Sequence, residues 1–247
     1  MVDNVSLLSL PLDSGTRNAL LRLPGELRNQ IYRFVIPGSI CVISWDTDVE
    51  NLQKLLPGIC KTSRQMHDET IPIFFQNIVW LLPHSKYVWP FAQFLYSFPN
   101  GIGFQNIRSV VLQDLSILNT KLLRRCPKLR TLVLVFDGPE IAGRDLIKRG
   151  RWKTETIAKT YDLDPIFDLK LLKRLILGFK TSGGWAHPGV STNLEIETSF
   201  MDEIQRRESQ AKVMALRNLP WNTGQWVEEL LLDQITNEEE DYVEDEE

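Results

Sequence analysis

The chain has 247 residues, of which 43% are hydrophobic and 24% are charged. This length and balance are typical of one large globular domain or two small ones, and they exclude a chain that is disordered throughout. No apolar run approaches the roughly 20 residues that a membrane-spanning helix needs, and the N-terminus lacks the basic and apolar regions of a signal peptide, so no membrane partner is predicted.

The formal net charge of −4 arises at the C-terminal end, where eight of the last ten residues are acidic. Because like charges repel, we predict that residues 237–247 form a disordered acidic tail. An electrostatic contact with a basic partner, or with the chain's own basic segment, is the functional alternative. The three cysteines, Cys41, Cys60 and Cys126, have no metal-ligand spacing. We therefore expect reduced thiols and a cytoplasmic or nuclear location.

After a flexible N-terminus, residues 1–18, the stretch "LPGELRNQIYRFVI" predicts an amphipathic helix. Pro24 suits the first helical turn, and Leu27, Ile31 and Phe34 follow at positions i, i+4 and i+7 of one apolar stripe. We expect this stripe to pack inward, which leaves the edge formed by Leu23 and Pro24 as the part that could dock on another protein.

The next segments predict a short strand within residues 39–48, two helical pieces, and a second strand at "NIVWLL", residues 77–82. The sequence alone does not show whether the two strands pair. "LPGELRNQIYRFVI" followed by "ICKTSRQMHDETIPIFF" resembles the fungal F-box-like family, which joins an L-P-x-E-L-R-x-x-I-Y helix to a later C-R-x-x-x-x-E-x-x-x-x-F/Y segment. The resemblance covers about residues 19–82, and it places an F-box-like module at residues 19–83.

The resemblance implies docking on a Skp-type adaptor within a ubiquitin ligase. An ordinary F-box is a compact run of about three helices, whereas a strand-like insert at residues 39–48 separates the matching halves here. The positions that match the docking motif are Leu23, Pro24, Leu27 and Ile31, and those that resemble its later V-C-K element are Ile59, Cys60 and Lys61.

Beyond an aromatic-rich linker at residues 84–104, four hexads recur in residues 105–236: "IRSVVL", "LRTLVL", "LKRLIL" and "VEELLL". Each resembles the L-x-x-L-x-L strand of a leucine-rich repeat, although their spacing is irregular. Helical patterns lie between the hexads, at residues 116–126, 154–169 and 194–218. This alternation of strands and helices predicts parallel strands. The predicted fold is therefore α/β: a small, mainly helical F-box-like module followed by an irregular leucine-rich-repeat-like layer of parallel strands and helices.

Strand alternation predicts that the fourth and sixth hexad positions face the helices, while the fifth positions form an apolar column on the opposite face. Residues 87–99 or the loop at 178–189 could cover this column, and a bound partner is the alternative. If the last two hexads pair in register, Arg174 lies opposite Glu229. The column, which is the candidate partner surface, consists of Val111, Val133, Ile176 and Leu231.

No catalytic, metal-binding or nucleotide-binding motif is present, and no cofactor is predicted. The basic stretch at residues 143–159 is interpreted as a solvated surface, so nucleic-acid binding is not expected. We therefore expect a non-enzymatic interaction protein whose C-terminal layer recognises an unknown protein target. The alternatives are a scaffold of the same fold without adaptor binding, and an enzyme whose pocket collects His187 and other distant polar residues.

Overall fold

The computed structural model describes residues 19–43, 49–113, 117–137, 162–180, 190–207 and 210–219. Within them, six strands form one parallel sheet in which the spatial order follows the chain order. The strands are β1 (Ser39–Val42), β2 (Ile78–Leu82), β3 (Ser109–Leu112), β4 (Thr131–Asp137), β5 (Arg174–Lys180) and β6 (Lys212–Leu219).

The sheet confirms the predicted neighbour relation of the first three hexads, which form β3, β4 and β5. Ser109 lies opposite Thr131, and Thr131 lies opposite Arg174. The fourth hexad, at residues 227–232, lies outside the described residues. The predicted pairing of Arg174 with Glu229 is wrong, because the neighbours of Arg174 in the sheet are Thr131 and Lys212.

Helix α1 precedes β1, and the other described helices lie between successive strands, as parallel pairing requires. They are α1 (Gly25–Val35), α2 (Val49–Lys54), α3 (Arg64–Asn77), α4 (Val88–Tyr96), α5 (Ile102–Asn106), α6 (Ile117–Leu123), α7 (Asp164–Phe167) and α8 (Val190–Arg206). Short 3-10 turns occur at Leu20–Arg22, Gly58–Lys61, Ser85–Tyr87 and Pro99–Gly101.

One cluster of buried side chains joins all of these helices to one face of the sheet, and it extends along the chain from Tyr32 to Ala211. The predicted orientation of the hexads is confirmed, because their fourth and sixth positions belong to this cluster: Val110, Leu112, Leu132, Leu134, Leu175 and Leu177. Burial of these side chains is the main contribution to the stability of such a layer.

The strand-like insert at residues 39–48 contributes β1, which pairs in parallel with β2. Because β2 in turn pairs with β3, the segment that resembles an F-box shares its sheet with the hexads. The described residues define an α/β layer.

Residues 84–104, predicted to be a linker, form two 3-10 turns, α4 and the first part of α5. Phe91 and Phe94 are buried in the cluster on the helical face. The prediction that residues 87–99 cover the opposite apolar column is therefore wrong. Of the other candidate, the loop at 178–189, residues 178–180 belong to β5 and residues 181–189 lie outside the described residues.

The last described strand, β6, contradicts another prediction. The pattern at residues 194–218 favoured one long helix, but α8 ends at Arg206 and β6 begins at Lys212. Met214 and Ala215 therefore lie in a strand, opposite Ile176 and Leu177. Backbone pairing with β5 outweighs the helix propensity of alanine, methionine and leucine, which amounts to only tenths of a kcal/mol per residue.

Among the described residues, no helix combines the length and the apolar character needed to cross a membrane.

Candidate protein-docking site

The apolar stripe of α1 faces solvent. Leu27 is 45% exposed, Phe34 is 88% exposed and Val35 is 48% exposed, while Ile31 is half-buried. The prediction that this stripe packs inward is wrong. The side chain of α1 that is fully buried is Tyr32, and Ile36 is buried just beyond the end of the helix.

Polar contacts explain why α1 has this orientation. The Arg28 guanidinium donates from Nη2 to Glu69 Oε1 at 2.6 Å and from Nε to Glu69 Oε2 at 2.9 Å. The Tyr32 hydroxyl donates to Glu69 Oε2 at 2.9 Å, and Gln65 Nε2 donates to Glu69 Oε1 at 3.0 Å. Arg28 and Tyr32 must face α3 to make these bonds. At about 100° per residue the apolar stripe lies roughly a quarter to a third of a turn further round α1, so Leu27 and Phe34 are turned towards solvent.

The pKa values of the network reflect this geometry. The hydrogen bonds from Arg28 lower the pKa of Glu69 to about 2. Burial raises the pKa of Tyr32, and its hydrogen bond to Glu69 raises it further. The carboxylate is therefore ionised and the phenol is neutral at physiological pH, which are the states that this set of donors and acceptors needs.

Both ends of α1 are fixed. At the N-terminal end, Arg28 Nη1 donates to the carbonyl oxygen of Leu23 at 2.5 Å. At the C-terminal end, Asn77 Nδ2 donates to the carbonyl oxygen of Ile36 at 2.8 Å. Because Arg28 also binds Glu69, α1 is attached to α3 near both of its ends, and the apolar stripe is presented in one orientation.

The predicted docking positions on this helix differ in accessibility. Pro24 and Leu27 are exposed, whereas Leu23 and Ile31 are half-buried. The half-buried pair continues the exposed stripe towards the body of the protein. Together with Phe34, these four positions form a surface that we call the α1 surface.

The second group of predicted docking positions lies in the 3-10 turn Gly58–Lys61, which packs against α3, as α1 does. Lys61 is exposed and Ile59 is half-buried, but Cys60 is fully buried. Cys60 therefore belongs to the core, and its predicted contact with a partner is wrong for this structure.

The remaining predicted partner surface is not accessible in the described residues. Val111, Val133 and Ile176 are 0%, 2% and 0% exposed. They form a second buried cluster with Val79, Leu81 and Val135, on the face of the sheet away from the helices. The expectation that the chain covers its own column is supported, whereas a partner has no access to these three side chains. Leu231, like His187 and residues 143–159, lies outside the described residues.

One open depression in the described residues lies between α2, the turn at Gly58–Lys61 and the end of α4. Its lining combines Gln53, Lys61 and His67 with the ring of Phe98. The His67 and Phe98 rings are stacked with their centroids 6.3 Å apart, so the histidine has a packing role. No group of three metal-ligating side chains occurs in the described part of the chain.

The cysteines are not disulfide-bonded. Cys60 and Cys126 are buried, and Cys41 is half-buried. Burial raises the pKa of Cys41 to about 11 and that of Cys126 to about 12, and it also raises the pKa of Cys60. All three are therefore protonated thiols at neutral pH, which makes them poor nucleophiles and metal ligands.

The sequence analysis did not identify the Arg28–Glu69 pair. A signal was available: Arg28, Tyr32 and Glu69 all occupy fixed letters of the motif that carried the family resemblance. Polar residues that recur in a motif either contact a partner or satisfy one another, and here they satisfy one another.

In the described residues, the site and fold define an α/β protein whose described helices pack on one face of the sheet, with an exposed apolar surface on α1. Comparison with protein-family models, with curated proteins and with solved structures finds no match for this chain.

Proposed function

We propose that this chain is a non-enzymatic protein-interaction module that uses the α1 surface to dock on a Skp-type adaptor, as a substrate receptor of a Skp–cullin–F-box ubiquitin ligase. The observation that carries the proposal is the outward orientation of the α1 stripe, with Phe34 88% exposed. A helix stripe of this composition is ordinarily core, and contiguous exposed apolar surface is typical of interaction sites.

The attachment of α1 at both ends supports docking by a preformed surface. The contacts of Arg28 with Glu69 and of Asn77 with Ile36 hold the backbone without using the exposed side chains. A partner helix or groove could then bury Leu27 and Phe34 with little further ordering of the helix, which lowers the entropic cost of association.

One observation favours the alternative in which the protein is a scaffold without adaptor binding. Leu23 is half-buried and its carbonyl oxygen accepts from Arg28, so part of the Leu-Pro turn serves the fold itself. In this alternative the α1 surface binds no adaptor. Binding to a purified adaptor separates the two functions.

The test measures binding of the full chain to a purified Skp-type adaptor by calorimetry. We expect a micromolar or tighter complex, and the double substitution Leu27→Ser/Phe34→Ser should weaken it at least about tenfold, because truncation of central apolar anchors costs 1–2 kcal/mol or more each. Absence of binding by the folded chain at micromolar concentrations would remove the ligase role and leave the scaffold.

The chain offers a matched control. Leu171 is 50% exposed and Trp89 is 66% exposed, which resembles the exposure of the two tested residues, but both lie outside α1. The variant Leu171→Ser/Trp89→Ser should keep the affinity within about twofold. Equal weakening by both double variants would show that general surface hydrophobicity, and not the α1 surface, drives the association.

A further inference from the structure

The outer face of α4 presents aromatic side chains to solvent. Its inner face is buried in the main core, whereas Trp89, Gln93 and Tyr96 are exposed, at 66% for Trp89 and 55% for Tyr96. These three residues stand at positions i, i+4 and i+7, so they form one row along the helix, which we call the α4 ridge. Single exposed aromatic residues are common on protein surfaces, but an exposed row of them has the composition of a contact surface.

Arg125 lies against one end of the α4 ridge. Its guanidinium carbon is 4.9 Å from the centroid of the Tyr96 ring and 5.9 Å from that of the Phe104 ring, and these two rings meet edge to face with centroids 4.8 Å apart. In the described part of the chain, the exposed guanidinium makes no hydrogen bond or ion pair. The rings therefore fix the position of the guanidinium, while its N–H donors remain available to a ligand.

The helices around the ridge carry no carboxylates. Residues 70–113 and 117–136, which include α4, α5 and α6, contain neither Asp nor Glu. Asp162 contacts this part of the protein, but it lies 3.6 Å from Arg124. Lys121 is exposed in α6 and adds a positive charge about one helical turn before Arg125. An acid-free surface with an unpaired guanidinium favours an anionic ligand.

We propose that the α4 ridge and Arg125 bind an acidic peptide segment of a partner protein. A carboxylate of the peptide accepts two parallel hydrogen bonds from Arg125, and an apolar side chain of the peptide packs on Trp89. Between them, the Gln93 amide offers a donor and an acceptor to the peptide backbone. Trp, Tyr and Arg are the residues most enriched among those that dominate binding energy at interfaces. This surface is separate from the α1 surface, so the proposal holds whether or not an adaptor binds there.

The length of the ridge sets the spacing of the peptide side chains. Trp89 and Tyr96 are separated along the helix axis by about 10 Å, at a rise of about 1.5 Å per residue. An extended peptide advances about 3.3 Å per residue. The apolar and acidic side chains of the ligand should therefore stand about three positions apart.

The contacts favour a peptide over a nucleic acid. Base stacking uses open aromatic faces, whereas Tyr96 already packs on Phe104 and Arg125. Binding to a nucleic-acid backbone uses several cations that neutralise successive phosphates, whereas the described residues place one guanidinium against the ridge. One charge-assisted contact beside an apolar one matches a short acidic peptide.

The first test titrates the full chain into the labelled synthetic peptide Gly-Ser-Phe-Ser-Ser-Glu-Glu-Ser-Gly and measures fluorescence anisotropy. We expect a micromolar dissociation constant, and at least about tenfold weaker binding when Gln replaces both Glu residues of the peptide, because the charge-assisted contact with Arg125 is lost. Peptides in which Phe and the first Glu are about one position closer or farther apart should bind more weakly. Absence of micromolar binding across the set, or equal binding of the Glu and Gln peptides, would overturn the proposal.

Substitutions in the chain test where the peptide binds. Arg125→Gln and Trp89→Ser should each weaken binding at least about fivefold, and Arg125→Lys, which keeps the charge but not the planar fork, should fall between wild type and Arg125→Gln. Arg64→Gln is the matched control, because Arg64 is an exposed arginine of α3, and it should keep the affinity within about twofold. Equal weakening by Arg64→Gln and Arg125→Gln would show unspecific electrostatic attraction and contradict the assigned site.

Two further measurements separate this site from its alternatives. The variant Leu27→Ser/Phe34→Ser alters the α1 surface and should leave the peptide affinity unchanged, so that failure of adaptor docking and failure of this proposal are distinguishable. A labelled single-stranded DNA oligonucleotide is the competing probe. If it binds the chain more tightly than the acidic peptide does, and Arg125→Gln weakens that binding, the ligand is a nucleic acid and the proposal is wrong.

Discussion

Glu69 is the residue on which the orientation of α1 depends. It accepts hydrogen bonds from Arg28, Tyr32 and Gln65, so one carboxylate joins two helices and satisfies a buried phenol. At this scale the sequence was a poor guide to packing, because an amphipathic stripe shows which residues share a face but not which way the face points. Tyr32 was buried in preference to Phe34 because its hydroxyl had a partner there.

We predict that Glu69→Gln lowers the free energy of unfolding by about 1–2 kcal/mol at pH 7, since it removes charge-assisted hydrogen bonds from a half-buried site. The pKa of Glu69 is about 2 in the folded chain and 4.5 for the free group. The carboxylate therefore contributes its full stabilisation above pH 4.5, and this contribution is lost as the pH falls through about 2.

Urea unfolding of both proteins between pH 2 and pH 7 checks this prediction. The difference in unfolding free energy between wild type and Glu69→Gln should shrink below pH 4.5. The neighbouring substitution Asp68→Asn is the control, because Asp68 is exposed and should change stability by no more than about 0.5 kcal/mol. A difference that does not vary with pH would contradict the assigned role.

At the scale of elements, α4 and α5 show how closely the helical layer is packed. A Cβ atom added at Gly103 in α5 would lie 2.6 Å from the carbonyl oxygen of Leu95 and 2.9 Å from its Cα. These are backbone atoms of α4, which cannot rotate away. The residues that the sequence suggested were a linker therefore form two helices whose backbones approach each other directly.

We predict that Gly103→Ala destabilises the protein by about 1–3 kcal/mol, because the added methyl group must separate α4 from α5. Gly58→Ala is the matched control. A Cβ at Gly58 would meet nothing within 4 Å, so this substitution should be neutral or slightly stabilising. Thermal unfolding of both variants checks the prediction, and equal stability of the two would contradict the close approach.

At the scale of the whole molecule, one sheet and one main core connect the segment that resembles an F-box to the hexads. Trp80 of β2 is fully buried, and its ring lies 4.9 Å from that of Phe91 between centroids. Val110 of β3, which lies opposite Trp80 in the sheet, is buried in the same cluster. No described boundary separates a first module from a second one along this core.

We therefore predict that β2 and β5 unfold together. In urea, hydrogen-exchange mass spectrometry should show peptides from residues 78–82 and 174–180 losing protection at the same denaturant concentration, because the strands between them transmit the loss of packing. Two separate transitions would show that the residues that resemble an F-box form an independent folding unit.

The sequence by itself determined the local features. The apolar pattern within the hexads predicted β3, β4 and β5 and the side chains that face the helices. These follow from periodicity and composition, which are properties of consecutive residues.

Only the tertiary structure decided the outward orientation of Leu27 and Phe34 and the strand formed by Met214 and Ala215. Each depends on groups that are distant in the chain: Glu69 for α1, and β5 for β6. Hydrogen-bond pairing and burial act between such groups in space, and no local pattern contains that information.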